Sequence, residues 1–211
     1  MRSAPEDLTA RSRIRDAAIE LFGRDGFSAT TVRSIAKASN TSPALLLHHF
    51  VSKDGLRTHC DGYVVETIRD LKREGVISAS QTELIAQLSA IPELQPLVWY
   101  LRRALQDGGP AAAEFFDQLV ADAVIYMEEG VATGRLRPTR DPKMRALMLT
   151  TMAFGPILLG EHIGRHLGTD GYDADAQRRA LPVMLEIFTD GVFADRDLID
   201  SLQAQLKEDQ S

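Results

Sequence analysis

Between Thr31 and Lys53 the chain reads TVRSIAKASNTSPALLLHHFVSK, and these residue types suit contact with nucleic acid better than bond-making chemistry. Arg33 offers a planar guanidinium for guanine O6/N7 or for a phosphate. Pro43, Ala44, Leu45, Leu47 and His48 give a small, mostly apolar face that can sit deep in a major groove and meet thymine methyls. Lys53 stands where a new helix begins, so its ammonium and the positive end of that helix together favour a phosphate. His49 either donates to a phosphate or packs inside. Arg2, Arg11, Arg13 and Arg15 crowd the N-terminal arm, within reach of phosphates or the minor groove. Nothing comparable points to catalysis: there is no nucleophile elbow, no phosphate-cradling glycine loop and no HExxH. His162 and His166 have i, i+4 spacing, but no further Cys or His completes a ligand set, so neither metal nor cofactor is implied.

The elements that must hold these groups are legible in the same stretch. Thr31 can cap a helix carrying Val32, Ile35 and Ala36 on one face, and Asn40 tolerates the left-handed backbone that ends it. Ser42 then caps a second helix, with Pro43 at its first position, where a missing N–H costs nothing. A helix as short as Pro43–His49 is not stable alone. Something must pack behind it while its outer face is read, which is the pattern of a DNA-binding helix-turn-helix. Ahead of it, Ile14, Ala17, Ala18, Leu21 and Phe22 form one stripe of a helix over about 9–24, ended by Gly26. Behind it, a helix from near Ser52 to Glu74 turns Leu56, Cys60, Tyr63, Val64, Thr67, Ile68 and Leu71 inward.

The whole 211-residue chain carries a net charge of -6, which looks wrong for a nucleic-acid binder until it is divided. Residues 1–60 hold nine Lys/Arg against six Asp/Glu, and the remainder fifteen against twenty-four. A basic head on an acidic body meets phosphate with one end only. One cysteine, Cys60, excludes an internal disulfide framework and fits a reducing cytoplasm. The uncharged run from Ala146 to Gly160 is shorter than the roughly 20 residues of a spanning helix and reads as buried, with no membrane partner implied.

The head resembles the TetR/AcrR family of bacterial transcriptional repressors. The first helix closes on LFGRDGFSATTV. Ile35-Ala36, Ser39-Asn40-Thr41-Ser42, Leu46, His49-Phe50, Lys53 and Leu56 follow that family's pattern without a gap over residues 10–57. Asn40 stands where the family has Gly. Leu47 replaces a Tyr whose hydroxyl contacts a phosphate in the family, leaving an apolar group for a thymine methyl. The resemblance implies an all-α chain: an N-terminal three-helix DNA-binding domain over 1–60 and a helical regulatory and dimerisation domain over 61–211. It implies a regulator, most often a repressor, bound to a double-stranded DNA operator, and no enzyme.

In the body, expected helices cover about 82–90, a segment entered between Pro92 and Pro96, 111–133, 142–166 (kinked at Gly155-Pro156), 175–193 (kinked or broken at Pro182) and a final amphipathic segment. One short recognition helix makes too few contacts alone, so a homodimer on a palindromic operator is expected. The apolar helices near 142–166 and 176–193 are the expected pairing elements. Candidates for an inducer pocket are Trp99, Tyr100, Arg103, Phe115, Tyr126, Met148, Met152, Phe154 and His162, since aromatic and Met side chains line adaptable cavities. Each could equally be core. Two other readings stay open: the same fold answering to a partner protein through the Leu198–Leu206 face, or a helical enzyme whose helix-turn-helix is a packing coincidence.

Overall fold

The computed structural model describes residues 5–77, 94–169 and 171–208, and every regular element among them is a helix. The head comprises α1 (Pro5–Asp25), α2 (Val32–Ala38) and α3 (Pro43–Phe50), and α4 (Lys53–Ile77) leads out of it. The body adds α5 (Gln95–Gln106), α6 (Gly109–Ala132), α7 (Pro142–Leu158), α8 (Gly160–Leu167), α9 (Ala174–Thr189) and α10 (Asp197–Glu208). The helix expected over 82–90 lies outside the described residues. The chain divides into two compact units, residues 1–160 and 161–211. The boundary expected near residue 60 falls within α4, which runs through it unbroken.

The two internal prolines behave differently. Pro156 lies inside α7, which ends two residues later; the Leu159 N–H closes it by donating to the Gly155 carbonyl at 2.9 Å. Pro182 was expected to kink or break its helix, yet α9 continues through it. Both Pro182 and Arg178, whose carbonyl loses its bond, are exposed, so water can serve the orphaned oxygen. That helix stops at Thr189, short of the expected Phe193, with Gly191 turning the chain at φ 85°.

One apolar core joins head and body. Ile14, Ala18 and Phe22 of α1 meet Ile35 of α2, Leu46 and Phe50 of α3, and Leu56, Cys60 and Val64 of α4. The same cluster continues into Tyr100, Leu101, Phe115 and Phe154 of α5, α6 and α7. Burying a side chain of this size contributes about 1.5–3 kcal/mol. A smaller cluster, Ala123, Tyr126, Met127 and Ala146, holds α6 to α7. Cys60 is fully buried, and burial pushes its thiol pKa up, so it packs and does not react.

The α1–α5 crossing is a backbone contact. A methyl added at Gly23 would lie 2.8 Å from the Tyr100 nitrogen, so only glycine fits there. Beside it, the Tyr100 hydroxyl donates to Asp61 Oδ1 at 2.6 Å, and Arg57 Nε lies 4.0 Å from the other carboxylate oxygen. Burial raises the Asp61 pKa, while the Tyr100 hydrogen bond and Arg57 pull it back. A carboxylate raised on folding binds its proton more tightly in the native state, so its contribution to stability falls as pH rises from the ordinary carboxylate range through the raised value. Tyr100→Phe removes a donor to the charged form. It should cost about 1–3 kcal/mol at neutral pH, and less where Asp61 is protonated. Urea unfolding at pH 7 and near pH 4 checks both the size and the direction.

Candidate nucleic-acid interface and ligand cavity

The turn between α2 and α3 is fixed by short polar side chains. Thr31 Oγ1 accepts from the Ser34 N–H at 3.0 Å while Ser34 Oγ accepts from the Thr31 N–H at 3.0 Å, a reciprocal capping box. Ser39 Oγ donates back to the Ile35 carbonyl at 2.9 Å, and Asn40 takes the left-handed conformation at φ 52°. Ser42 caps α3 by accepting from the Leu45 N–H at 3.1 Å, with Pro43 at N1. These four devices orient α3 before any partner arrives.

Along α3, Leu46 and Phe50 are buried and Pro43, Ala44, Leu47 and His48 are exposed, so the outer strip follows i, i+1, i+4, i+5. Leu45 is half-buried at its edge, and His49 is half-buried with its ring edge-on to Phe50. Arg33, on the first turn of α2, is exposed, as are Thr31 and Ser42. The turn from α3 to α4 has an unexpected geometry. Val51 adopts φ 65° and ψ -45°, and the Ser52 N–H donates to the Phe50 carbonyl at 2.7 Å. This is a γ-turn of the strained, positive-φ kind, on a β-branched residue that ordinarily avoids it. Gly55 lies directly against the Phe50 carbonyl, where a methyl would not fit.

Lys53 has a second part beside the expected phosphate contact. Its Nζ donates to the carbonyls of Phe27 at 2.9 Å and Thr30 at 3.1 Å, and lies 4.2 Å from the Phe27 ring centroid. Two of its three N–H groups thus serve the loop between α1 and α2. Arg57 lies over the same ring at 4.7 Å. Among the arm arginines, Arg15 stacks on Tyr63 at 3.6 Å and Arg11 lies over Phe50 at 5.5 Å; Arg13 is exposed and Arg2 lies outside the described residues.

The first unit also holds a partly open cavity of about 260 Å³. Its walls are Ile68, Leu71 and Lys72 of α4, Leu94 with Leu97, Val98 and Leu101 of α5, and Ala153, Phe154 and Ile157 of α7. Of the nine sequence-derived pocket candidates, Phe154 alone lines it. Tyr100 and Phe115 are buried in the main core and Tyr126 in the smaller one. Arg103 pairs with Asp107 at 3.1 Å; Trp99, Met148, Met152 and His162 are exposed. Lys72 was missed, although it follows Ile68 by four residues and so shares its helical face.

A short helix presented by a capped turn on a basic head, joined to a helical body with a cavity, defines a helix-turn-helix DNA-binding protein with a regulatory domain. The family models agree. "Bacterial regulatory proteins, tetR family" matches residues 14–60, and "Tetracyclin repressor-like, C-terminal domain" matches 92–194. The HTH-type transcriptional regulatory protein RaaS of Mycobacterium tuberculosis is 39% identical over 211 residues, 99% of this chain and 97% of that one. The chain therefore belongs to the TetR family of transcriptional regulators. In fold it is similar to a putative TetR-family regulator from Rhodococcus sp. (TM-score 0.63, 19% identity, 86% of this chain and 98% of that one). It is similar likewise to Bacillus subtilis FadR in complex with stearoyl-CoA (TM-score 0.59, 17% identity, 86% and 99%). The relatives found by sequence are regulators of transcription, not enzymes.

Because Lys53 holds the α1–α2 loop, Lys53→Met should lower the head's stability as well as any DNA affinity. Loss of hydrogen bonds from a charged group costs about 1.5–3 kcal/mol. Thermal unfolding of the variant, read beside its DNA titration, checks that the two losses travel together.

Proposed function

We propose that this regulator is a repressor that binds a palindromic operator as a homodimer and leaves it when a small apolar or amphipathic molecule fills the body cavity. The cavity carries the reading. Its wall includes α4, the same helix whose first residue, Lys53, is tied into the DNA-binding head. An occupant that favours one position of α4 shifts the separation of the two heads away from successive major grooves, about 34–36 Å apart. The cavity also favours this reading over control by a partner protein at the C-terminal helix. FadR holds stearoyl-CoA in a chain of the same fold; here the ligand class rests on the cavity's own walls. Operator and ligand would be met in the cytoplasm.

On the DNA side, Arg33 with Pro43, Ala44, Leu47 and His48 forms the reading surface, Leu45 flanks it, and Thr31, Ser42 and the remaining N–H of Lys53 face phosphates, while His49, with its Nε2 buried, packs behind them. On the dimer side, Met144, Met148 and Met152 form an uncovered stripe at i, i+4, i+8 on α7, and Val183, Leu185, Ile187 and Phe188 are exposed on α9. Large exposed apolar patches mark interaction surfaces, and a second copy matches them. Met148 and Met152 are thus assigned to the dimer face.

Operator affinity should fall with added salt, with a log–log slope of about -0.9 per phosphate contacted. Arg33→Ala should weaken binding by about 1–3 kcal/mol without lowering the unfolding temperature. A salt-independent titration would remove the phosphate contacts from the account. Phe188→Asp should yield a monomer by sedimentation and abolish operator binding at concentrations where the parent binds; a stable dimer of that variant would place the interface elsewhere.

A further inference from the structure

Lys72 stands apart from the other cations of its helix. Arg69 Nη1 lies 3.4 Å from Asp122, and Arg73 Nε lies 2.7 Å from Glu129, so the basic residues on either side have carboxylates from α6. Lys72 has neither an ion pair nor a hydrogen bond among the described residues, and the cavity it lines is otherwise walled by apolar side chains. Its side chain lies at the solvent-exposed edge of that cavity, open to a ligand's headgroup. An ammonium without a counter-ion beside an apolar wall pairs with a ligand that carries an anionic headgroup on an apolar chain.

The chemistry of the occupant follows from this lining. Among the described residues the cavity has one cation, Lys72, which matches a single negative charge and not a polyphosphate. A cationic ligand would be repelled by Lys72, and one aromatic ring, Phe154, makes no cage for it. A sugar would leave its hydroxyls unpaired against Leu97, Val98 and Leu101. A volume of about 260 Å³ sits at the small end of ligand pockets, which run about 300–1,000 Å³. Resting on the small-molecule reading of the cavity, we propose that the ligand is a carboxylate on a medium-length apolar chain, and that Lys72 is the specificity-determining residue that holds its headgroup.

Dodecanoate, dodecan-1-ol and dodecanoyl-coenzyme A, titrated calorimetrically into the full chain below their aggregation concentrations, test this. The parent protein should bind dodecanoate about 10- to 100-fold more tightly than the alcohol, the range expected of a charge-assisted hydrogen bond. Lys72→Met should erase that preference by weakening dodecanoate alone, Lys72→Arg should keep it, and Val98→Trp, which fills the cavity, should weaken both. Thermal unfolding confirms that each variant is folded. Equal affinity for acid and alcohol in the parent would overturn the role of Lys72 while leaving the cavity as a ligand site. Tight coenzyme A thioester binding that ignores Lys72→Met would overturn the carboxylate headgroup. If no probe binds the parent protein, the cavity reading and this proposal fall together.

Discussion

The hydrogen bond from the Tyr100 hydroxyl to Asp61 braces the continuous apolar core that joins head and body. It crosses from α5 to α4 inside the core, at the level where Gly23 lets α1 touch the α5 backbone. Asp61 in turn faces Arg57, whose guanidinium lies over Phe27, the ring that also receives Lys53. A polar strut therefore runs from the body through α4 to the loop that precedes the reading helices. Its members satisfy one another's charge and donors inside apolar surroundings, where an unmatched group would be expensive. The DNA-binding head is accordingly part of one packed body and not a bead on a linker.

The helix-turn-helix was legible in the sequence because every signal it uses is local. Thr31 and Ser42 cap, Asn40 turns left-handed, and Leu46 and Phe50 point inward, all within one short stretch. The cavity was not legible, because its walls come from three helices far apart in the chain. Leu94, Leu97, Val98 and Leu101 form the apolar stripe that periodicity assigns to a core, and a stripe facing a void has the same letters as one facing a neighbour. Tyr100 shows the converse. It lies off that stripe and looks like a pocket residue, but α5 is covered on more than one side, so Tyr100 is 2% exposed.

Lys53 has a structural part that family resemblance does not give. Its position suits a phosphate, and two of its three N–H groups also close the loop between α1 and α2 through two carbonyls beside the Phe27 ring. The two prolines make a similar point for the backbone. Pro156 is followed by a helix end and Pro182 is not. What a proline does depends on whether its stranded carbonyl finds water or a neighbour, which the letters alone do not say.

The γ-turn at Val51 leaves no slack between α3 and α4. Two residues, Val51 in a strained conformation and Ser52, separate the recognition helix from a helix of 25 residues, and Gly55 seats the Phe50 carbonyl against the first turn of α4. The two helices form one rigid crank. At 1.5 Å per residue the long arm measures roughly 37 Å, so a tilt of about 5° at its far end sweeps the reading face by roughly 3 Å. That is close to the ~3.4 Å rise of one base step. The cavity sits toward the slow end of this crank, so under the proposed mechanism a small displacement there would be geared up into a lost register on DNA.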